Sequence, residues 1–378
     1  KVITVTAKNK SACIREMKKK ENEWNNIKNG LHIDSTDTVV SLCYRHLEYQ
    51  VSNNDLKGKS IDRRECTIEN QISGYDLGYL QAQQVTPIDI ETHVKLLISE
   101  NKVGASSIGK VVDVLNAAYE WAIRQGDMQQ NPVRLVKTEL SKKLKKLSVK
   151  GADEADVVAL SDEEIKLFER EATELHANGH EKYPAGMYCL LLLHTGMRVG
   201  EMIALRWRDW KGDYLVIEKS VSTAKNRNKK SEDENNYISL EGSTKNQKAR
   251  NIQLNREAKY ILWKLKHSRE SCEQDDLIVP TKTGKMNTAS NLEHRMKVIM
   301  KNAGLEDVKG GLHIFRKTFA TKMYENGARV EEIAAYIGDL PSTTQKYYIA
   351  IRRKVVADGE THQIVKLPGS KAGEEPVA

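Results

Sequence analysis

Cysteine, aromatic residues and long apolar runs are all scarce in this sequence. Five of the 378 residues are cysteines, and none pairs with another in the C-x-x-C spacing of structural zinc sites. The longest apolar run, Met187 to Leu193, is about a third of the roughly 20 residues that span a bilayer. These features argue against a disulfide scaffold and exclude a membrane-spanning protein. We therefore expect a cytoplasmic protein with reduced thiols at Cys13, Cys43, Cys66, Cys189 and Cys272.

Several catalytic motifs are also absent. The chain contains no G-x-x-x-x-G-K-[ST] nucleotide loop, no H-E-x-x-H zinc motif and no G-x-S-x-G nucleophile elbow. No trio among the many carboxylates stands out as a metal site. We expect neither a metal nor another cofactor, although a metal-dependent nuclease or transposase stays among the alternatives. We expect no signal peptide. Because the sequence starts at Lys1 and not at a methionine, we also expect it to lack its natural start.

The net charge of +8 is unevenly distributed along the chain. Residues 131–150 hold seven basic residues against Glu139 alone, whereas residues 151–173 hold eight acidic residues against two basic ones. An abrupt change of charge in a stretch of weak periodicity is typical of an interdomain linker, which we predict at residues 137–159. Many lysine runs are only solvated helix faces, but we expect this one to contact a polyanion. The candidate contacts are Arg134, Lys142, Lys143, Lys145 and Lys146.

The apolar pattern divides the chain, which is too long for one compact core. Residues 34–136 carry four blocks of helical periodicity and predict a compact helical domain. Residues 160–357 open with a capping box and are mostly helical around short β-branched runs that suit a small antiparallel sheet. Residues 1–33 are too few to form a core alone, and residues 358–378 predict a loose tail. The predicted fold class is mainly α with a small antiparallel β-sheet.

Three motifs in the third region carry cationic and phenolic side chains. They are H-T-G-M-R-V-G-E at residues 194–201, G-L-H-I-F-R-K-T-F-A-T at 311–321 and Y-I-G-D-L-P-S-T-T-Q-K-Y-Y at 336–348. An arginine between glycines can present a bidentate fork to a phosphate, and His313 and Arg316 share one helix face. Ser342 or Thr343 is expected to cap the helix that carries the tyrosines. If each motif is taken by itself, the simplest interpretation is structural: a surface arginine, a solvated helix face and tyrosines in the core. Taken together, they predict phosphoryl transfer in which cations replace a metal ion.

The three blocks, in this order, resemble the signature blocks of the tyrosine recombinases, the phage integrase family. The resemblance covers about residues 160–357 and implies the DNA breaking-rejoining enzyme fold for this catalytic domain. More weakly, residues 34–136 resemble the SAM-like core-binding domain of these enzymes. Residues 1–33 resemble the end of an arm-binding domain found in integrases of mobile elements such as conjugative transposons and prophages.

The resemblance implies a role for each matching residue. Arg198 and Arg316 would clamp the scissile phosphate, and His313 would assist proton transfer or hold the phosphate. Lys245, with Lys248 as second choice, would be the general acid for the leaving 5′-hydroxyl. The attacking tyrosine would form a 3′-phosphotyrosyl link that needs neither ATP nor metal. Glu201 is expected to support this set.

Two departures from the family pattern affect the predicted site. Asp339 follows Gly338 where the family usually has a histidine. Whether Asp339 takes over the hydrogen-bonding role of that histidine is open. The interval to the tyrosine pair is also unusual. Counting from the pair Thr343-Thr344 selects Tyr347 as the nucleophile. Counting from Gly338-Asp339, where the family has Gly-His, selects Tyr348. We prefer Tyr347, because helix register fixes side-chain direction better than loop length does.

These observations predict a site-specific DNA integrase that acts on double-stranded attachment sites. The resemblance implies a homotetramer on DNA and leaves open an excisionase or a DNA-bending host factor; no membrane partner is expected. The alternatives are a catalytically decayed DNA-binding regulator and a resolvase or topoisomerase IB-like enzyme.

Overall fold

The structure, a computed structural model, describes residues 37–53, 56–152, 159–227, 237–243 and 249–345, with backbone only at 148–152 and 243. Several predicted features lie outside these ranges: the 1–33 module, the 358–378 tail, Lys245, Lys248, Tyr347 and Tyr348. The described residues form two compact units. The first contains those up to residue 152 together with 224–227 and 237–238, and the second contains the others.

The first unit is helical, as the apolar spacing predicts. Its helices are α1 (Val39–Ser52), α2 (Gly58–Gln71), α3 (Asp76–Tyr79), α4 (Pro87–Glu100), α5 (Ala105–Arg124) and α6 (Pro132–Ala152). Thr38 and Thr86 cap α1 and α4 by accepting backbone N–H hydrogen bonds. Helix α5 packs against α1, α2, α4 and α6, and its apolar face lies in the unit's core with Leu42 and Ile90 fully buried. The backbone N–H of Lys225 donates to Asp62 of α2 at 2.9 Å within this unit.

Helix α6 covers most of the segment in which the sequence predicts a linker. Its Val136, Leu140 and Leu144 recur every four residues and are buried in the core of the first unit. Residues 137–152 are therefore part of a packed helix, and this corrects the linker expectation for them. The many lysines between those three apolar positions conceal the helical periodicity from a composition-based reading.

The second unit is arranged around one apolar helix. Its helices are α7 (Asp162–Ala172), α8 (Gly186–Thr195), α9 (Val199–Ala204), α10 (Arg256–His267), α11 (Ala289–Asn302), α12 (His313–Glu325) and α13 (Val330–Ile337). Helix α8 contacts α7, α10, α11 and α12. It is apolar on all sides because it is enclosed on all sides, and Leu191 and Leu192 are fully buried. Ser161 and Glu164 form the predicted capping box of α7.

The strands form two antiparallel pairs instead of the single small sheet that the sequence predicts. They are β1 (Tyr214–Ile217), β2 (Lys219–Lys225), β3 (Tyr237–Ser243) and β4 (Arg250–Gln253). Strand β1 pairs with β4, with Leu215 opposite Ile252 and Ile217 opposite Arg250, and β2 pairs with β3. The fold class of mainly α with a small antiparallel β component is otherwise confirmed.

The start of the last described helix differs from the expected cap. Residues 341–345 are helical, and the N–H of Thr344 donates to the carbonyl of Leu340 at 3.0 Å. The helix therefore begins at Pro341, not after Ser342 or Thr343. Proline suits the first position of a helix because it lacks the N–H that would have no partner there.

Two further properties follow from the described residues. None of the helices in the described ranges is both long and apolar enough to cross a membrane. Within the same ranges Cys43, Cys66, Cys189 and Cys272 are free thiols, as the sequence predicts.

Gly186 is expected to tolerate no side chain, because a Cβ there would lie 2.0 Å from the carbonyl oxygen of Ala172. Gly186→Ala should destabilise the protein by about 1–3 kcal/mol through overpacking between α7 and α8. Gly109→Ala in α5 is the matched control, since no atom beyond its chain neighbours and the backbone of its own helix lies within 4 Å of its Cβ position. The control should be neutral or stabilising by up to about 1 kcal/mol. Urea unfolding measures both, and equal losses would contradict the packing argument.

Candidate active site

Helices α8 and α9 together position Arg198. Helix α8 ends at Thr195, and Arg198 precedes the first residue of α9. The backbone N–H of Arg198 donates to Glu201 at 2.9 Å, and its Nη1 donates to the same carboxylate at 3.0 Å. Because Glu201 holds both ends of Arg198, the guanidinium has a defined direction. Its Nη2 donates to the carbonyl of Gly338 at 2.8 Å.

Helix α12 supplies His313 and Arg316. Arg316 is almost fully buried, and its Nη1 donates to the carbonyls of Gly196 at 2.9 Å and Ile337 at 2.7 Å. Burial, followed by the positive charge of Arg198, lowers the pKa of Arg316 to about 10. Arg316 therefore remains a cation at neutral pH.

His313 is the first residue of α12 and is exposed. Its pKa is lowered, first by loss of water around the ring and then by the positive charges of Arg316, Lys317 and Arg198. The negative charge of Asp339 opposes this shift without reversing it. Near neutral pH the imidazole is therefore mostly uncharged and can accept a hydrogen bond or a proton.

The C-terminal end of α13 collects three arginines, which we call the arginine cluster: Arg198, Arg250 and Arg316. Arg250 donates to the carbonyl of Tyr336 at 3.2 Å, and the other two donate to the next two carbonyls along the chain. The last carbonyls of a helix have no partner within the helix and carry its negative dipole end, so they attract cations. Gly338 ends α13 with φ +68°, and a Cβ there would lie 2.8 Å from the Arg250 guanidinium.

Glu201 is the buried counter-ion of the arginine cluster, with 1% of its side chain exposed. Its two oxygens accept from Arg250 at 3.0 and 2.7 Å, in addition to the bonds from Arg198. Burial raises the pKa of Glu201, but the hydrogen bonds and charges of Arg250 and Arg198 outweigh burial, so the pKa is lowered overall. Glu201 thus stays ionised and fixes two of the three arginines.

Asp339 lies between the two arginines that the family resemblance assigns to the phosphate. Its Oδ2 is 3.1 Å from Nη2 of Arg316 and 3.5 Å from Nη2 of Arg198. Its Oδ1 accepts from the backbone N–H of Leu340 at 3.1 Å. The guanidinium groups of Arg198 and Arg316 therefore converge on one anionic oxygen, an arrangement that can also bind an oxygen of a phosphate.

The predicted site residues thus divide into two groups. The structure brings Arg198, His313, Arg316 and Asp339 together around α13, with Glu201 behind them. The proposed general acid and the two candidate nucleophiles lie outside the described residues, so their roles stay predictions. The candidate DNA contacts Arg134, Lys142, Lys143, Lys145 and Lys146 are all exposed on α6 in the first unit.

Arg250 is a site residue that the sequence analysis missed. It begins β4, where it shares a strand face with Ile252, which is fully buried. A charged residue on the apolar face of a short strand needs a buried partner, and that alternation is the signal that could have identified it. The partner is Glu201.

Comparison with known proteins agrees with this geometry. The sequence profile described as the phage integrase family matches residues 160–353, slightly more than half of the chain. The chain belongs to the phage integrase family, whose members are the tyrosine recombinases. It is accordingly a site-specific recombinase that cleaves and rejoins DNA, and the class predicted from the three motifs is confirmed.

Two tyrosine recombinases are similar to this chain over most of their length. The tyrosine recombinase XerC-like protein of Caldanaerobacter subterraneus subsp. tengcongensis is 24% identical over 340 residues, covering 85% of this chain and 81% of that protein. The tyrosine recombinase XerD of Proteus mirabilis is 25% identical over 287 residues, covering 74% of this chain and 79% of that protein.

Solved structures of integrases share the fold. The Tn1549 transposon integrase in complex with a circular intermediate DNA matches with a TM-score of 0.63 and 15% identity, covering 85% of this chain and 99% of that chain. A lambda integrase tetramer bound to a Holliday junction matches with a TM-score of 0.58 and 17% identity, covering 90% of this chain and 88% of that chain.

Replacing Glu201 by glutamine should destabilise the protein by about 3–5 kcal/mol at pH 7, because Arg198 and Arg250 lose a buried partner. The folded pKa of Glu201 is lowered, so its contribution is complete above the ordinary value of 4.5 and is lost as pH falls through the folded value. The difference between wild type and Glu201→Gln should therefore shrink below about pH 4.5.

Urea unfolding between pH 3 and pH 8 measures this dependence. Glu306→Gln, at an exposed position, is the matched control and should change stability by less than about 0.5 kcal/mol. A loss in Glu201→Gln that stayed constant down to pH 3 would show that shape, not charge, explains the effect.

Proposed function

We propose that this recombinase is the integrase of a mobile element and that Arg198 and Arg316 bind the scissile phosphate in its active site. The observation that carries the proposal is the convergence of both guanidinium groups on one carboxylate oxygen, at 3.1 and 3.5 Å. Fixed guanidinium groups can stabilise the charge that develops on a phosphate in the transition state. The structural similarity to the Tn1549 transposon integrase supports the assignment to a mobile element.

The proposed reaction conserves the phosphodiester bond energy. The hydroxyl of Tyr347, or of Tyr348 as the second choice, attacks phosphorus and loses its proton. The bond from phosphorus to the 5′-oxygen breaks, and Lys245 donates a proton to that leaving oxygen. A 3′-phosphotyrosyl link remains. Attack by a 5′-hydroxyl of the partner strand reverses these steps and rejoins the DNA without ATP.

His313 completes the phosphate site in this proposal. Its pKa is lowered, so near pH 7 the neutral ring can hold a phosphate oxygen through its N–H or accept the proton of the tyrosine. Its position at the first residue of α12 places it on the same helix as Arg316. One rigid helix therefore carries two of the groups that act on the phosphate.

Helix α6 is proposed to contact the DNA backbone. Its buried residues Val136, Leu140 and Leu144 occupy one side. The exposed Lys142, Lys145 and Lys146 lie away from that side, and Lys143 lies at its edge. A row of exposed lysines on a helix adds affinity for phosphates without reading the base sequence. The packed apolar side fixes the direction in which the lysines project.

The assembly and partners are inferred from the same relatives. A lambda integrase of similar fold is a tetramer on a Holliday junction, and recombination of two duplexes requires four strand cleavages. We therefore propose a homotetramer on double-stranded attachment sites in the cytoplasm, with an excisionase or a DNA-bending factor as accessory partners. The family match favours this function over a decayed regulator or a topoisomerase.

A covalent protein–DNA adduct should form in EDTA when the protein is mixed with nicked attachment-site duplexes that trap the cleaved strand. Tyr347→Phe should abolish the adduct, because phenylalanine lacks the attacking oxygen, whereas Tyr348→Phe should retain it. Denaturing gel electrophoresis with labelled DNA measures the adduct. Tyr260→Phe, at an exposed position in α10, is the matched control.

An adduct that survived Tyr347→Phe but not Tyr348→Phe would exchange the two assignments. Strict dependence of adduct formation on a divalent metal would contradict the proposed chemistry.

Arg316→Lys should reduce the amount of adduct by at least about 100-fold, because lysine cannot replace the three hydrogen bonds that position the guanidinium.

Neutralising Lys142, Lys143, Lys145 and Lys146 by glutamine should weaken DNA binding and lower its salt dependence. If all four contact phosphates, the slope of log affinity against log salt should fall in magnitude by about 3 to 4. Glutamine keeps the helix intact because its helix propensity is close to that of lysine.

Fluorescence anisotropy with a labelled duplex at several salt concentrations measures this slope. A charge-matched control replaces the exposed residues Lys57, Lys59, Lys95 and Lys102 of the same unit, two of which already pair with glutamates. The control should change the slope less. An unchanged slope in the α6 variant would contradict the proposed contact.

A further inference from the structure

The carboxylate of Asp339 occupies the position that the proposed function assigns to a DNA phosphate oxygen. Its Oδ2 faces Nη2 of both Arg198 and Arg316, while Nη1 of each arginine is already committed to Glu201 or to backbone carbonyls. Asp339 therefore contacts Nη2 of Arg316 and shares Nη2 of Arg198 with the carbonyl of Gly338. An incoming phosphate would need the same nitrogens.

Exposure distinguishes Asp339 from Glu201. The Asp339 side chain is 23% exposed and lies at the solvent side of Arg316, whose side chain is only 4% exposed. The side chain of Glu201 is buried and held by two arginines. Asp339 Oδ1 has a single backbone hydrogen bond, from the residue that follows it. Of the two carboxylates, Asp339 therefore leaves the arginines at lower cost than Glu201 would.

The charges around α13 fit one exchangeable anion. Arg198, Arg250 and Arg316 carry three positive charges, and Glu201 and Asp339 carry two negative ones. The net charge is then +1; it would rise to +2 if Asp339 withdrew, and the single negative charge of a phosphodiester would return it to +1. A carboxylate and a phosphate oxygen cannot both occupy the space between the two guanidinium groups, because like charges at such a distance repel strongly.

We propose that Asp339 is an internal competitor of the DNA phosphate, which holds Arg198 and Arg316 at phosphate-binding spacing in the free protein and is displaced when DNA binds. The inference rests on the proposed function in that these arginines are taken to bind a phosphate. Its effect is twofold. The arginines are pre-organised in the absence of DNA, and the affinity for any isolated phosphate is reduced.

Asp339→Asn tests this exchange with inorganic phosphate as the probe. Asparagine has nearly the same shape and can keep the hydrogen bond from the backbone N–H of Leu340, but it carries no charge. Isothermal titration of the full chain with phosphate at pH 7 should give an affinity at least about fivefold higher for Asp339→Asn than for wild type. Glu331→Gln removes one exposed charge from α13, the helix that precedes Asp339, and should leave the phosphate affinity unchanged.

A second substitution locates the effect. Adding Arg198→Gln to Asp339→Asn should abolish the gain in phosphate affinity, and a gain that persisted would place the phosphate elsewhere and overturn the proposal. Equal or weaker phosphate binding by Asp339→Asn would also overturn it.

The covalent adduct assay separates this inference from the proposed function. A gain in phosphate affinity without any adduct, in wild type or variant, would support the internal competitor and contradict the recombination chemistry assigned to the site. An adduct in wild type combined with no gain in phosphate affinity would support that chemistry and overturn the internal competitor.

Discussion

The negative end of helix α13 is the feature on which the candidate active site depends. Three successive carbonyls at this end accept hydrogen bonds from three arginines that come from a loop, a strand and another helix. These elements are distant in sequence, and the shared helix end brings their guanidinium groups together. Gly338 is required here because it ends the helix in a left-handed conformation and leaves room for Arg250. The arginine cluster thus caps the C-terminal end of a helix.

Such a concentration of positive charge is stable only because part of it is neutralised inside the protein. Glu201 performs this role permanently, since it is buried and bonded to two arginines. Asp339 contributes at the surface, where water also screens the charges. One positive charge of the arginine cluster remains uncompensated by these two carboxylates. A site built in this way binds an anion without distorting the structure, because the cations are fixed beforehand.

Much of this organisation could be predicted from the sequence, but not the features that depend on tertiary contacts. The motif arginines Arg198 and Arg316 were identifiable because glycines and a histidine stand at fixed offsets beside them. Arg250 was not, because its only signal is a two-residue alternation on a short strand, and its partner lies 49 residues away in the chain. The helix α6 was missed because lysine composition suggests exposure, while every fourth residue packs in a core.

The long sequence separation within the arginine cluster has a consequence for when the site forms during synthesis. Arg198 is bonded to Gly338, 140 residues further along the chain, and Arg316 to Ile337. During synthesis the ribosome must therefore complete α13 before these two hydrogen bonds can form. A chain that ends before α13 carries the arginines of the site but lacks the carbonyls at the end of α13 to which they bond. The hydrogen bonds that arrange the candidate site therefore form only when the fold is almost complete.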